Sequence, residues 1–301
     1  MAYQPTILNG ETVFRNEVFQ PFTASGDVNY DEFKKIIDHQ IEHGTDAIVI
    51  VGTTGESSAM TLKEHAEVVD FGCSYIAGRV PVVAGAGSND TAAAIELTRE
   101  AAASGADAVL SVTPYYNKTT QRGLIAHFEA IADCSDCPVI LYNVPSRTGL
   151  SIAAETYAAL SKHPNINGAK EASGNFSLLT EAMHLCGDEM NFWSGNDDQI
   201  VPLMAMGGKG VISVLSNVAP AETHKLTLLC LEGKYEEARR MQLDYLPLIN
   251  ALFCEVNPIP VKKAMELLGW KVGDLRLPLV GVTDEHEALL RRELERMGCK
   301  I

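Results

Sequence analysis

Lys170 is the residue whose type and setting best fit covalent chemistry. It closes a short apolar run, Ile166–Lys170, with Gly168 and Ala169 just before it. If the run is a strand, its period of two puts Ile166, Gly168 and Lys170 on one face. An ammonium on an inward face is costly, so burial lowers its pKa and makes the neutral, nucleophilic amine accessible. The competing reading is an outward Lys170 paired with Glu171 at the rim. Lys118 is a weaker rival, because it lies in a loop.

A lysine that forms imines needs groups that move protons, and phenols hydrogen-bonded to hydroxyls can do this. Tyr142, Tyr116, Thr53 and Thr54 supply them, although each tyrosine alone also fits a rim-packing aromatic. Arg147 offers a planar fork for a carboxylate, though alone it also fits a surface ion pair.

These residues need an element that brings them together. Eight short apolar runs suit parallel strands: Val13–Phe19, Ala47–Val51, Val80–Ala84, Ala108–Val112, Val139–Tyr142, Ile166–Lys170, Met190–Trp193 and Val211–Val214. Amphipathic helical patterns separate them, with Gly44 and Gly105 at helix ends and Asn89-Asp90 at a helix start. Strict alternation favours a closed (β/α)₈ TIM barrel over an open doubly wound sheet. Beyond residue 232 only helical patterns follow: Tyr235–Phe253, Pro260–Leu268 and Glu285–Met297. The expected organisation is a barrel over 1–232 and a helical extension over 233–301 packed on it.

In such barrels the carboxyl ends of the strands carry chemistry. Here they run into Gly52-Thr53-Thr54-Gly55-Glu56-Ser57, Thr113-Pro114-Tyr115-Tyr116-Asn117, Tyr142 to Gly149, Lys170 to Gly174 and Ser194-Gly195-Asn196-Asp197. Five strands thus deliver polar groups to one rim.

Composition narrows the function classes. The net charge of −15 argues against nucleic acid, whose phosphates need clustered Lys and Arg. No apolar run reaches the ~18 residues of a membrane span, and Met1 to Arg15 lacks a signal-peptide profile. Seven scattered cysteines fit reduced thiols and a cytoplasmic location. His39-Gln40-Ile41-Glu42-His43 matches a zinc-protease string but ends an outer helix away from the rim. Cys134-Ser135-Asp136-Cys137 lacks a second ligand pair, and neither glycine-rich stretch completes a nucleotide-binding loop. These strings support neither a zinc site nor nucleotide binding.

The strings GTTGES, TPYYN, YNVPSRTG and KEASG, followed by SGND, GVIS and NPIPVK, resemble the dihydrodipicolinate synthase family. That family comprises the 4-hydroxy-tetrahydrodipicolinate synthases of lysine and diaminopimelate biosynthesis. The arginine of YNVPSRTG and the double threonine favour it over the related N-acetylneuraminate lyases and keto-sugar aldolases. The resemblance implies that Lys170 forms the imine with pyruvate and that Tyr142 relays protons through Thr53 to Tyr116, supplied by a neighbouring subunit. Thr53 and Thr54 would hold the pyruvate carboxylate, and Arg147 would govern aspartate semialdehyde. Gly195 and Ile212 would line the pocket through backbone groups. A homotetramer, built as a dimer of dimers, is implied as well, with no metal and no organic cofactor. Alternatives are an aldolase or lyase acting on keto-sugar acids, and a non-catalytic barrel that binds a keto acid or lysine.

Two departures from the family pattern stand out. Gln20-Pro21-Phe22 replaces the usual Thr-Pro-Phe, placing a larger amide at the pocket floor. In feedback-sensitive relatives a dimer-interface cleft binds lysine, and its counterparts here are Ser57, Ser58, His65, Asn89 and Tyr115. The acid expected in that cleft falls at Ala93, and a frequent second histidine at Leu62. Weak or absent inhibition by lysine is therefore expected.

Overall fold

The computed structural model describes residues 14–301. Val13, the first residue of the expected first strand, and residues 1–12 lie outside the described residues. Eight parallel strands close into a barrel in sequence order. They are β1 (Phe14–Glu17), β2 (Ala47–Ile50), β3 (Val82–Gly85), β4 (Ala108–Val112), β5 (Val139–Asn143), β6 (Ile166–Glu171), β7 (Asn191–Ser194) and β8 (Val211–Ser213). Closure is direct, because β1 pairs with both β2 and β8.

The helices that cover the barrel are α1 (Tyr30–Glu42), α2 (Leu62–Ile76), α3 (Thr91–Ala103), α4 (Gln121–Ala132), α5 (Pro145–Thr148), α6 (Ala154–Leu160), α7 (Phe176–Cys186), α8 (Ile200–Ala205) and α9 (Pro220–Leu231). The chain then continues through α10 (Tyr235–Ala251), α11 (Ile259–Leu267) and α12 (Asp284–Arg296). Helix starts follow ordinary capping: Thr61, Asp90, Thr120 and Thr283 each accept an N–H of the first turn. Gly44 and Gly105, both at φ +86°, reverse the chain into β2 and β4.

Two apolar layers follow from the alternation along the strands. Val49, Val83, Leu110, Ile140, Trp193 and Ile212 fill the barrel interior. Ile48, Ile50, Val82, Val109, Leu141 and Phe192 face outward and pack against the helices. Each such buried aliphatic or aromatic side chain stabilises the fold by about 1.5–3 kcal/mol relative to exposure.

One alternation is broken. The β5–β6 register shifts between Val139 and Ile140, whose partners are Ile166 and Gly168. Ile166 therefore joins the helix-facing layer, and only Gly168 and Lys170 keep the inward face. The expectation that Ile166, Gly168 and Lys170 share one face is corrected by this bulge, which adds a residue and re-aims the strand end.

Candidate active site

Lys170 points into the barrel and is buried. It does not pair with Glu171, whose carboxylate accepts from Tyr157 Oη at 2.7 Å, the Ser173 N–H at 2.7 Å and Asn143 Nδ2 at 3.0 Å. Those three donors hold Glu171 on the opposite side of β6, away from Lys170.

Tyr142 is the register partner of Lys170 across β5 and β6, and Trp193 is its partner on β7. Lys170 Nζ stands 4.4 Å from the centroid of the Tyr142 ring. Gly195 gives the lysine stem its space: a Cβ there would lie 3.2 Å from both Cγ and Cε of Lys170 and 2.7 Å from the Ala172 Cβ. Ile212 closes the interior from β8.

The sequence reading missed Glu17. It sits at the carboxyl end of β1, buried, with its Oε2 hydrogen-bonded to Lys170 Nζ. Its Oε1 accepts the Thr54 N–H at 2.7 Å. The signal was available, because a carboxylate ending a barrel strand obeys the same rim rule as Lys170.

Glu17 also corrects the expected chemistry of the lysine at rest. Burial alone would lower the Lys170 pKa, but the Glu17 carboxylate and then the Tyr142 phenol outweigh it and hold it above the ordinary lysine value. Burial would likewise raise the Glu17 carboxyl. The Lys170 ammonium and the Thr54 N–H overcome that and keep it below the ordinary range. The resting pair is ammonium and carboxylate. Asp197, also buried, accepts the N–H groups of Val214 and Leu215 at 3.0 and 2.9 Å, and burial pushes its carboxyl up.

The loop after β2 forms the second wall. Val51 and Glu56 have left-handed φ of +50° and +55°, a strained conformation for residues with a Cβ that costs about 1–3 kcal/mol each. The tail holds that loop in place. Lys262 Nζ donates to Glu56 Oε1 at 2.7 Å and to the Asp274 carbonyl at 2.8 Å, and Asn257 Nδ2 donates to Thr54 Oγ1 at 3.0 Å. Gln20 lies beneath the loop rather than in the open pocket. A Cβ on Gly55 would come within 1.8 Å of its Oε1, and its amide atoms have no hydrogen-bond partner.

A cavity of about 410 Å³ opens above these residues. It is lined by Thr53, Tyr142 and Arg147, and extends without interruption past Ser57, Ser58, Leu62, His65, Ala93 and Tyr115. Most of the residues expected to bind the effector therefore line the same cavity as Thr53, Tyr142 and Arg147. Asn89 is not among its lining residues; its carbonyl accepts from Asn117 Nδ2 at 2.8 Å. Arg147 donates to the Asn257 carbonyl at 3.0 Å. Tyr116 is not brought to Lys170 within this chain: the residue is 92% exposed, on a backbone at φ +66°.

Away from the rim, the His39 and His43 rings pack at a tilt of 46° with centroids 4.1 Å apart, and His39 also packs on Trp270. Among the described residues no cluster of three or more His, Cys, Asp or Glu side chains is arranged to hold a metal ion, and no helix is long and apolar enough to cross a membrane.

With this geometry in view, the likeness to known proteins is specific. The 4-hydroxy-tetrahydrodipicolinate synthase of Lachnoclostridium phytofermentans is 52% identical over 282 residues, covering 93% of this chain and 96% of that one. The dihydrodipicolinate synthase structure from Aquifex aeolicus superposes with a TM-score of 0.93 at 40% identity, over 96% of this chain and 98% of that chain. A lysine-bound structure from Cyanidioschyzon merolae gives the same score and identity, covering 96% and 99%. The model of the dihydrodipicolinate synthetase family matches residues 14–297, and the chain belongs to that family.

Proposed function

We propose that the chain condenses pyruvate with L-aspartate 4-semialdehyde to give 4-hydroxy-tetrahydrodipicolinate, through an imine on Lys170. The observation that carries this reading is an inward lysine at the carboxyl end of β6, in register with Tyr142 and facing the Thr53-Thr54 loop. A buried primary amine beside a phenol can add to a keto group, lose water and stabilise the enamine that attacks an aldehyde. Such an enzyme is a lyase of the class I aldolase type. The similarity to synthases at about half identity over nearly the whole chain supports the same substrates.

Thr53 and Thr54 would receive the pyruvate carboxylate, Arg147 the semialdehyde, and the backbone at Gly195 and Ile212 would border the pocket. The proton path runs from Tyr142 through Thr53 to Tyr116 of a neighbouring subunit. The exposure of Tyr116 supports that arrangement, because an exposed tyrosine on a single chain is free to enter a partner's cavity. The corresponding assembly is a cytoplasmic homotetramer, a dimer of dimers.

The test is mass spectrometry after borohydride reduction with pyruvate, paired with turnover assays. Pyruvate should label Lys170 and no other lysine, and aspartate semialdehyde should outperform sugar aldehydes as the acceptor. Preference for a sugar aldehyde would instead make the chain a keto-sugar acid aldolase. Labelling without turnover of any aldehyde would point to a binding barrel.

A further inference from the structure

Lys170 has a partner that imine chemistry must remove before the amine can act. Glu17 bridges the two groups that the proposed reaction needs free: its Oε2 holds Lys170 Nζ, and its Oε1 holds the Thr54 N–H at 2.7 Å. The fit is built in. A Cβ on Gly52 would stand 2.6 Å from Glu17 Oε1, so glycine at that position leaves room for the carboxylate. The Glu17 backbone is fixed too, since its carbonyl accepts from Asn217 Nδ2 at 3.0 Å. The Thr54 hydroxyl is pinned by Asn257 at 3.0 Å. A carboxylate of the protein therefore sits where the substrate's carboxylate is expected to sit.

We propose that Glu17 is a catalytic residue that occupies the substrate-carboxylate seat at rest and, when pyruvate displaces it, accepts the proton that Lys170 must lose. This rests on the reading of the chain as a pyruvate aldolase. The resting pair carries no net charge. An incoming carboxylate that takes the Thr54 N–H leaves Glu17 without its donor in a buried chamber, where a second carboxylate is unfavourable. Transfer of one proton from the Lys170 ammonium makes Glu17 a neutral acid and Lys170 a neutral amine.

The amine lone pair then forms the C–N bond to the keto carbon, whose π electrons move to oxygen. A second nitrogen proton passes to that oxygen and gives the carbinolamine. Glu17 returns its proton to the carbinolamine hydroxyl, water leaves with the C–O electrons, and the nitrogen lone pair forms the C=N bond. The products are an iminium beside the Glu17 carboxylate and one water, with no proton exchanged with solvent. No oxidant, reductant or further reactant enters.

The experiment is rapid-quench borohydride trapping of pyruvate on wild type, Glu17→Gln and Glu17→Asp. It measures the half-saturating pyruvate concentration and the rate of adduct formation at saturation. Glu17→Gln keeps the volume but presents a neutral, more easily displaced acceptor. Glu17→Asp keeps the buried charge, so the chamber still folds around Lys170, but it is one methylene too short to bridge both partners. Half-saturation should fall about tenfold in Glu17→Gln, the difference between a charged and a neutral hydrogen bond, and by about several-fold in Glu17→Asp, which keeps the charge but loses one of the two bonds. The saturated rate should also fall, by about a hundredfold or more in Glu17→Gln, which has no acid or base to offer. Tighter binding with slower chemistry is a pair of changes that loosened packing would not produce. Unchanged or weaker pyruvate binding in the variants would show that Glu17 does not hold the seat, and faster trapping would reduce it to a restraining counter-ion. Either outcome overturns the proposal while leaving the aldolase reading intact. A wild type that pyruvate never labels overturns both.

Discussion

Tyr142 and Lys170 are opposite one another on β5 and β6, and the lysine's Nζ lies over the tyrosine ring at 4.4 Å. The pairing separates two functions of one side chain. The ring walls the chamber and faces the ammonium, whereas only the hydroxyl can relay protons. Tyr142→Phe should therefore still be labelled by pyruvate and borohydride, while turnover falls by about 10²–10⁴-fold. Lys170→Ala should lose labelling altogether. A Tyr142→Phe enzyme with wild-type turnover would remove the phenol from the proton path.

The Glu17–Lys170 pair also predicts how stability responds to pH. The folded pKa of Glu17 lies below its ordinary 4.5, so its contribution is complete above that value and is lost as pH falls through the lower, folded one. The folded pKa of Lys170 lies above its ordinary 10.5, so its contribution is complete below 10.5 and is lost as pH rises through the raised value. These are two views of one interaction and are not added. Removing one partner of a buried pair costs about 3–5 kcal/mol. Denaturation of wild type and Glu17→Gln should thus differ by about that much near neutrality, with the gap constant down to the ordinary carboxylate pKa and shrinking below it. A gap that closes between pH 7 and 5 would contradict the depressed carboxyl.

The tail is expected to act on the site through the loop after β2. Asn257 touches Thr54 and accepts from Arg147, while Lys262 neutralises the buried Glu56. Asn257→Ala removes the hydrogen bond to the Thr54 hydroxyl and should raise KM for pyruvate several-fold, about the effect of one such bond at 0.5–1.5 kcal/mol, with little change in kcat. Lys262→Met leaves the buried Glu56 carboxylate without its cation, with the Arg276 N–H still donating to it, and should cost about 3–5 kcal/mol of stability. Steady-state kinetics and thermal melting separate the two. An unchanged KM in Asn257→Ala would show that the tail does not position Thr54.

Much of this was legible in the residues. All eight strands appear where apolar runs stand between helical patterns, because parallel strands covered on both faces must be apolar. Lys170 was legible because an ammonium closing such a run is costly unless it is used. The inward register of β6 was not, since the bulge opposite Val139 and Ile140 follows from pairing with β5 and not from period two. Glu17 was absorbed into an apolar strand, and its meaning depends on Thr54 and Lys170, which are 37 and 153 residues away. The links from Asn257 and Lys262 to the β2 loop span more than 200 residues, and local pattern carries no trace of them. The short α5, which presents Arg147, went unread because it is a single turn.

Tyr116 gives a direct test of shared sites. The residue is 92% exposed while the adjacent Tyr115 lines the cavity, so the two neighbours already point to different places. A mixture of inactive Tyr116→Phe and inactive Lys170→Ala subunits, exchanged under mild conditions, should recover part of the activity. Some hybrid interfaces then hold one site with both residues intact. Hybrids as inactive as their parents would confine the active site to a single chain.

Lysine should inhibit this protein weakly or not at all. Of the residues expected to receive it, Ser57, Ser58, His65 and Tyr115 line the same cavity as Tyr142 and Arg147, and Asn89 does not. The carboxylate that would meet the effector's α-ammonium is missing, as Ala93 lines that position and Leu62 stands nearby. The neighbouring acids are poor substitutes. Glu64 is engaged by the guanidinium of Arg276, which holds its carboxyl below the ordinary range, and Glu67 lies 3.6 Å from Lys63 on the exposed side of α2. His65 is committed as well, with Nε2 bonded to the Gly85 carbonyl at 2.8 Å. A charge-assisted hydrogen bond contributes about 1.5–3 kcal/mol, so its loss should weaken lysine binding by about ten- to a hundred-fold. Initial rates titrated with lysine to tens of millimolar should stay nearly flat in the wild type, and Ala93→Glu should introduce inhibition. Strong inhibition of the wild type at submillimolar lysine would show that another group in the cleft supplies the missing charge.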